Sequence, residues 1–369
     1  MNSYPVGMAS PDPRLIAAMQ TSSVDALAIT PGADMRYLAG YQAKPLERLT
    51  AFLVHRNGNA LLLAPELEGA EARHSRFAET GGSVVTYSET ADPWAIVEDF
   101  LNHCERIAVD GHMWADRLLT LQERLPQAQI VSAAPLIGAL RTIKGPDEIA
   151  ALLEAGAAID RVHARIPQML KAGKTEREVG QDIAAAITAE GHVSVDFVIV
   201  GSGPNGASPH HSVSDRVINA GEPIVIDIGG TMPSGFCSDS TRMYCIGEPS
   251  TEFMEMYAIL QEAQERARNH VIPGVSCESI DTAARQHLES AGLGDYFIHR
   301  TGHGIGLETH EDPYIVQGNS QALEPGMAFS IEPGFYIPGR FGARIEDIVV
   351  CGEDGAILAN QQPREICIV

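Results

Sequence analysis

The sequence predicts a two-domain α/β (α+β) protein whose second domain is built from two similar halves. Three observations predict it. Helical and strand patterns alternate through residues 1–140, the texture changes around Arg141–Pro146, and the remainder repeats itself at an offset of 101 to 105 residues. At 369 residues the chain also exceeds the size at which one hydrophobic core usually keeps growing.

In the first domain, Arg14 to Met19 begins a helix, and Ala26–Thr30, Ala51–Val54, Ala60–Leu63 and Ile107–Val109 read as short strands. Pro93–Cys104 and Asp116–Arg124 read as helices between them, and no catalytic cluster is visible. Pro146 suits the first position of a helix, and Ile149, Leu152, Leu153 and Ile159 then recur at helical spacing. The domain boundary is therefore placed between residues 140 and 141.

The internal repeat is weak in identity and consistent in position. Ala172-Gly173-Lys174-Thr175 opens a helix with Val179, Ile183 and Ile187 on one face, ending at Gly191. Pro273-Gly274-Val275-Ser276 opens another with Ile280, Ala284 and Leu288, ending at Gly292, and each pair lies 101 positions apart. Thr175 and Glu178 form a capping box, and Ser276 can cap the second helix. The strands that follow correspond too: Gly221, Asp227 and Gly229 lie 105 positions before Gly326, Glu332 and Gly334. Asp239 and Glu346 differ by 107, so each half would supply two carboxylates that a pseudo-twofold axis brings together.

Composition narrows the function. The 48 acidic against 26 basic residues give a net charge of −22, which would repel phosphate backbones and anionic membranes. Nucleic acid and membrane are not expected as partners. No apolar run approaches the roughly twenty residues of a membrane helix, and Met1-Asn2-Ser3-Tyr4-Pro5 opens no signal peptide. Six cysteines without a C-x-x-C pair read as free thiols, so the expected location is the cytoplasm.

Five residues carry the chemistry: Asp227, Asp239, His303, Glu332 and Glu346. Asp227 and Glu332 sit in apolar strands, Ile224-Val225-Ile226-Asp227 and Phe329-Ser330-Ile331-Glu332, where an unpaired ionised carboxylate costs several kcal/mol. His303 lies among glycines in Gly302-His303-Gly304-Ile305-Gly306, which let backbone crowd a ligand site. Four carboxylates and one imidazole suggest a cage for two divalent cations, whose bound water would lose its proton near neutral pH and attack an acyl carbon. Asp239 alone could instead pair with Arg242, and Glu346 alone could form a surface ion pair beside Arg344 and Asp347.

Two other patterns lead elsewhere. Gly201-Ser202-Gly203-Pro204-Asn205-Gly206 matches a dinucleotide fingerprint, yet Ala207-Ser208-Pro209-His210 cannot continue the required helix. A glycine-rich loop over an active site is the expectation. His303 and His310 are not the H-E-x-x-H pair of zinc proteases, since the glycines between them argue against a helix.

Taken together, the five segments resemble those of metallopeptidase family M24, the dinuclear "pita-bread" enzymes that include methionine aminopeptidases, aminopeptidase P, prolidases and creatinase. The resemblance implies a creatinase-like N-terminal domain over residues 1–140 and a pita-bread catalytic domain over residues 141–369. It implies that Asp227 chelates one metal, Asp239 and Glu346 bridge both, and His303 and Glu332 complete the ligand shell of the second metal. Glu332 would also move the proton, His210 would stand near the substrate, and His310 would contact the scissile carbonyl. His299 and Arg344 match substrate-binding positions of the proline-directed branch. One departure is the spacing of 12 between Asp227 and Asp239, one more than expected, with the extra residue assigned to the Thr231–Gly235 turn.

The segment around Glu346, with Arg344 two residues before it, resembles prolidase or aminopeptidase P rather than methionine aminopeptidase, and chain length with Gly302-His303-Gly304-Ile305-Gly306-Leu307-Glu308 resembles short bacterial Xaa-Pro dipeptidases (prolidases). The implied reaction is hydrolysis of the Xaa-Pro bond of dipeptides by a metal-bridging hydroxide. Aminopeptidase P acting on longer peptides, a non-peptidic C–N hydrolase or lyase, and a non-catalytic binding module are the alternatives. The oxygen-rich ligand set suits Mn2+, with Co2+, Zn2+ or Fe2+ as substitutes. Family analogy implies a homodimer in which the N-terminal domain shapes the partner's site.

Overall fold

Apolar residues occupy both faces of the strands in the first third of the chain, so their sheet must be covered on both sides. The structure, a computed structural model, describes residues 11–369; the stretch Met1–Pro5 read above lies outside them. It divides into two units, one ending at Arg141 and the other running from Thr142 to Val369.

The first unit comprises α1 (Pro13–Thr21), β1 (Ala26–Ile29), α2 (Ala33–Ala39), β2 (Ala51–His55), β3 (Ala60–Pro65), α3 (Gly69–Arg73), α4 (Arg76–Glu79), β4 (Ser83–Tyr87), α5 (Pro93–Leu101), β5 (Arg106–Val109), α6 (Ala115–Arg124), β6 (Gln129–Ser132) and α7 (Ala134–Thr142). Its six strands form one mixed sheet in the order β4-β3-β2-β1-β5-β6. Leu27, Ile29, Phe52, Val54 and Leu62 pack on one face with Leu15, Met19, Met35 and Ile137 of the helices. Ala26, Ala28, Leu53, Leu63 and Ile107 pack on the other with Val97, Leu101 and Leu121. Alternation along each strand serves both layers. The helix expected over Pro93–Cys104 stops at Leu101, because Asn102 turns extended and His103 takes a left-handed φ of 67°. β4 and β6 were not anticipated: their side chains are only partly buried, so their apolar signal is weak.

The second unit comprises α8 (Pro146–Met169), α9 (Glu176–Ala189), β7 (Ser194–Ser202), β8 (Pro223–Thr231), β9 (Cys237–Cys245), α10 (Thr251–Asn269), α11 (Cys277–Ser290), β10 (Gly302–Gly304), β11 (Glu311–Ile315), β12 (Ala328–Ile331), β13 (Gly334–Ile337), β14 (Phe341–Arg344), β15 (Asp347–Cys351), β16 (Ala356–Leu358) and β17 (Cys367–Ile368). Each half lays two helices on one long hairpin. In the first, Ile159, Val162, Val179, Ile183 and Ile187 cover Ile224, Ile226 and Ile228. In the second, Phe253, Leu260, Ile280 and Leu288 cover Phe329, Ile331 and Val349.

The duplication holds at single hydrogen bonds. Glu176 N–H donates to Arg216 O as Cys277 N–H does to Gln321 O. Ile218 N–H donates to Lys174 O as Leu323 N–H does to Val275 O. Helix members lie 101 positions apart (176 to 277) and strand members 105 (218 to 323), the offsets expected from the sequence. One detail differs. Thr175 caps α9 through a full capping box, whereas Ser276 makes no side-chain cap bond. In both halves carbonyls of the following segment take the first two N–H groups of the helix, Arg216 and Ser214 for α9 and Gln321 and Asn319 for α11, but at α11 Ser279 N–H turns to the Ser276 carbonyl.

Register then decides which side chains share a face. β8 pairs with β9 so that Asp227 lies opposite Thr241 and Gly229 opposite Asp239. β12–β13 pair with β14–β15 so that Ile331 lies opposite Asp347 and Gly334 opposite Arg344. The sequences of the two hairpins superpose at the 105 offset, with Asp227 matched to Glu332, Asp239 to Arg344 and Thr241 to Glu346. Glu346 is thus the counterpart of Thr241, two residues beyond that of Asp239, which explains the spacing of 107. The turn between β8 and β9 is Met232–Phe236, with Gly235 at φ 93°.

The turn Gly203–Ala207, which follows β7, packs directly on β14. Gly342 makes this possible: a Cβ there would collide with Gly206 O, far inside van der Waals contact, and lie 2.8 Å from the Tyr336 ring. Gly342→Ala should therefore lower stability by about 1–3 kcal/mol, the usual cost of overpacking. Urea unfolding measures it, and an unchanged midpoint would contradict the tight packing.

Candidate metal centre

Alternation along the two hairpins puts Asp227, Asp239 and Thr241 on the face away from the helices, and Glu332, Arg344 and Glu346 on the matching face of the other half. Asp239, His303 and Glu346 converge: one ligand atom from each lies within 4.8 Å of the others, and all three residues are buried. His303 comes from β10, whose glycines bring backbone close to β12; a Cβ at Gly302 would collide with Ser330 O. His303 Nε2 stands 3.3 Å from Glu332 Oε1 and 3.7 Å from Asp239 Oδ2.

The remaining expected residues surround this group. Asp227 is buried, with Oδ2 ion-paired to Arg344 and Oδ1 without a hydrogen-bond partner among the described residues. Arg344 is buried too and also donates to Thr241 Oγ1 at 3.1 Å, Tyr336 Oη at 2.7 Å and Pro209 O at 3.3 Å. His299 is half-buried and reaches Tyr336 Oη at 2.9 Å, so it joins the centre through Tyr336 and Arg344. The exposed His310 stacks edge-on against His303, ring centroids 4.1 Å apart. His210 is exposed on the segment after Gly203–Ala207, near enough to His299 and His310 to depress the protonation of both.

The rival ion pairs of the sequence are resolved by the same geometry. Arg242 points to the helix side and pairs with Asp347 at 2.7 Å, leaving Asp239 to the centre. Asp347 is fully engaged there by Arg242, Gln264 and Arg364. Glu346 is buried and accepts from Thr241 Oγ1 at 2.7 Å, with no surface partner. Thr241, Tyr336 and Ser330 were not anticipated. Ser330 Oγ accepts from His303 N–H and lies 3.1 Å from Glu332 Oε1, so it links two members. Alternation alone would have found it, since Ser330 shares a strand face with Glu332.

Electrostatics test whether these groups fit a cation. Burial, then Glu346, Asp227 and Glu332, push the Asp239 carboxyl well above its usual range, against the opposing Arg344. Burial, Glu332 and Asp227 do the same to Glu346. Burial raises Glu332 to about 7, with Arg344 opposing and Asp227 adding. Burial and then His310 lower His303 to about 3, so its imidazole is neutral and free to ligate. Four clustered carboxylates, the guanidinium of Arg344 directly among them, an unpartnered buried oxygen on Asp227 and a neutral imidazole form a donor set that fits divalent cations.

Known proteins share this organisation. Residues 150–353 match metallopeptidase family M24, and residues 13–143 match the creatinase/prolidase N-terminal domain. The chain is 49% identical over 354 residues to a probable dipeptidase PepE of Mycobacterium tuberculosis, covering 96% of this chain and 94% of that one. It is 37% identical over 362 residues to an Xaa-Pro dipeptidase of Lactobacillus helveticus, covering 95% and 96%. The crystal structure of dipeptidase PepE from Mycobacterium ulcerans superposes with a TM-score of 0.91 at 49% identity, covering 96% of each chain.

The raised carboxyls carry a stability signature. Each binds its proton more tightly in the native than in the unfolded state, so the metal-free fold loses stability as pH climbs from the ordinary carboxyl range to the raised values, about 7 for Glu332. The depressed carboxyls, such as Asp347, act only at lower pH. The melting temperature of chelated protein should therefore fall between about pH 5 and pH 7.5, and divalent cations should abolish the fall. A flat profile in chelator would contradict the clustering.

Proposed function

The chain belongs to metallopeptidase family M24, and we propose that within it this protein is a cytoplasmic, homodimeric dipeptidase that hydrolyses the bond before proline, with two manganese ions. The convergence of Asp239, His303 and Glu346, with Glu332 beside them, is the observation that carries this reading. Likeness to an Xaa-Pro dipeptidase over 95% of the chain supports the proline preference. Six free cysteines, and no helix long and apolar enough to cross a membrane among the described residues, are consistent with the cytoplasm.

Asp227, Asp239, His303, Glu332 and Glu346 would hold the two cations. When bound, the cations supply Lewis acidity, polarising the scissile carbonyl and lowering the pKa of the attacking water. The chain's own groups do the rest. Glu332, whose raised carboxyl lies near neutrality, takes the proton of that water and delivers it to the prolyl nitrogen as the C–N bond breaks. The Ser330 hydroxyl orients Glu332 by donating to Oε1. Burial, Arg300 and His210 lower the pKa of His310, which leaves a neutral N–H donor for the oxygen that gains charge. His210 and His299 stand beside the substrate, and Arg344 keeps Asp227 in place through their ion pair.

Two experiments test this. Glu332→Gln with metal bound should lower kcat by about 100-fold or more, in the usual range for a proton-transfer group, with little change in KM; near-native turnover would remove the role. In a substrate panel, Xaa-Pro dipeptides should be cleaved in preference to Xaa-Pro-Xaa peptides and small N-acyl compounds. Preference for the longer peptides would indicate aminopeptidase P instead.

A further inference from the structure

His210 stands in a stretch, Ser208–Glu222, that has no helix or strand of its own beyond a single bridge between Val217 and Thr175. Something else must fix it. Its chain neighbours are anchored on both sides: Pro209 O accepts from Arg344 Nη1, and His211 Nε2 lies 2.8 Å from Glu176 Oε2. Glu176, in the first turn of α9, is wholly buried. Its carboxylate also accepts from the N–H and hydroxyl of Ser202, the amide of Asn205 at both oxygens and the hydroxyl of Ser214, each within 3.1 Å.

Burial alone would raise the Glu176 pKa, but the bonds from Ser202, Ser214 and His211 hold it below the ordinary value. A buried ion of this kind rarely adds net stability over a packed apolar side chain. Of its five donors, those of His211 and Ser214 belong to the irregular segment and those of Ser202 and Asn205 come from the chain just before it, so Glu176 ties the segment to the end of β7. We infer that Glu176, acting through His211, is a positioning residue that fixes His210 beside the metal centre. The second half uses a comparable device on α11. Asp281 accepts from Thr301 N–H and Oγ1, and its ion-pair partner Arg285 donates to Phe297 O and His299 O. In each half a buried carboxylate on the second helix of the pair holds the chain that bears a site histidine.

The inference rests on the proposed role of His210 in dipeptide cleavage, so its test has a readout that does not. In holoenzyme loaded with manganese, Glu176→Gln and His211→Ala should each lower kcat/KM roughly tenfold or more, the scale of a misplaced catalytic contact. Manganese stoichiometry should not change. In a His210→Ala background the same substitutions should change kcat/KM by less than about twofold, because the residue they position is gone. Amide exchange across residues 203–217 should quicken in both variants while that of β8 and β9 stays constant. If Glu176→Gln does not fold, His211→Ala, which leaves the other four donors in place, decides alone. Full additivity with His210→Ala, or unchanged exchange in residues 203–217, would overturn the inference. Failure of wild-type protein to cleave any dipeptide would instead overturn the proposed function, and exchange would still decide the anchoring.

Discussion

The crowding of four carboxylates on one buried face is the constraint on which the second domain depends. Asp227, Asp239 and Glu346 are less than a tenth exposed, and among the described residues the one guanidinium ion-paired with this group is Arg344, already committed to Asp227. Stacking like charges in a dry interior is unfavourable without compensation. The raised proton affinities of Asp239, Glu346 and Glu332 are how the metal-free chain meets that problem. Divalent cations meet it better, and in doing so make the site chemically useful.

Symmetry explains how two hairpins deliver these groups to one place. Thr241 and Glu346 occupy equivalent positions in the two halves, and they hydrogen-bond to each other. Arg242 and Asp347, one residue on, are also equivalent and form an ion pair on the opposite side of the sheet. Two successive equivalent pairs in contact place the pseudo-twofold axis between β9 and β15. The front pair faces the metal centre, and the back pair ties the strands to α10 through Gln264. Arg242 also donates to Glu346 O, so the structural pair fixes the backbone of a ligand candidate from behind. Sequence divergence between the halves is what creates function. Asp239 faces Gly229 in one hairpin, whereas Arg344 faces Gly334 in the other.

Much of this was legible beforehand because it rests on short-range physics. The helices and the repeat follow from apolar spacing and caps, and the five candidate ligands stand out as polar residues in segments too apolar or too glycine-rich to tolerate them idly. What escaped notice depends on partners distant in the chain. The choice of Asp347 by Arg242 spans 105 residues and could not be read from adjacency, which favoured Asp239. Glu176 sits in a capping turn, where an acidic residue is unremarkable in sequence. Only the folded chain reveals that it is buried beneath a loop.

Equilibrium dialysis of the wild-type chain and of Asp239→Asn against manganese, counted per chain, tests the central claim most directly. Two ions bound to the wild type, with at least one lost from the variant, is the result this account predicts. Fewer than one ion on the wild type, or equal loading of both proteins, would contradict it.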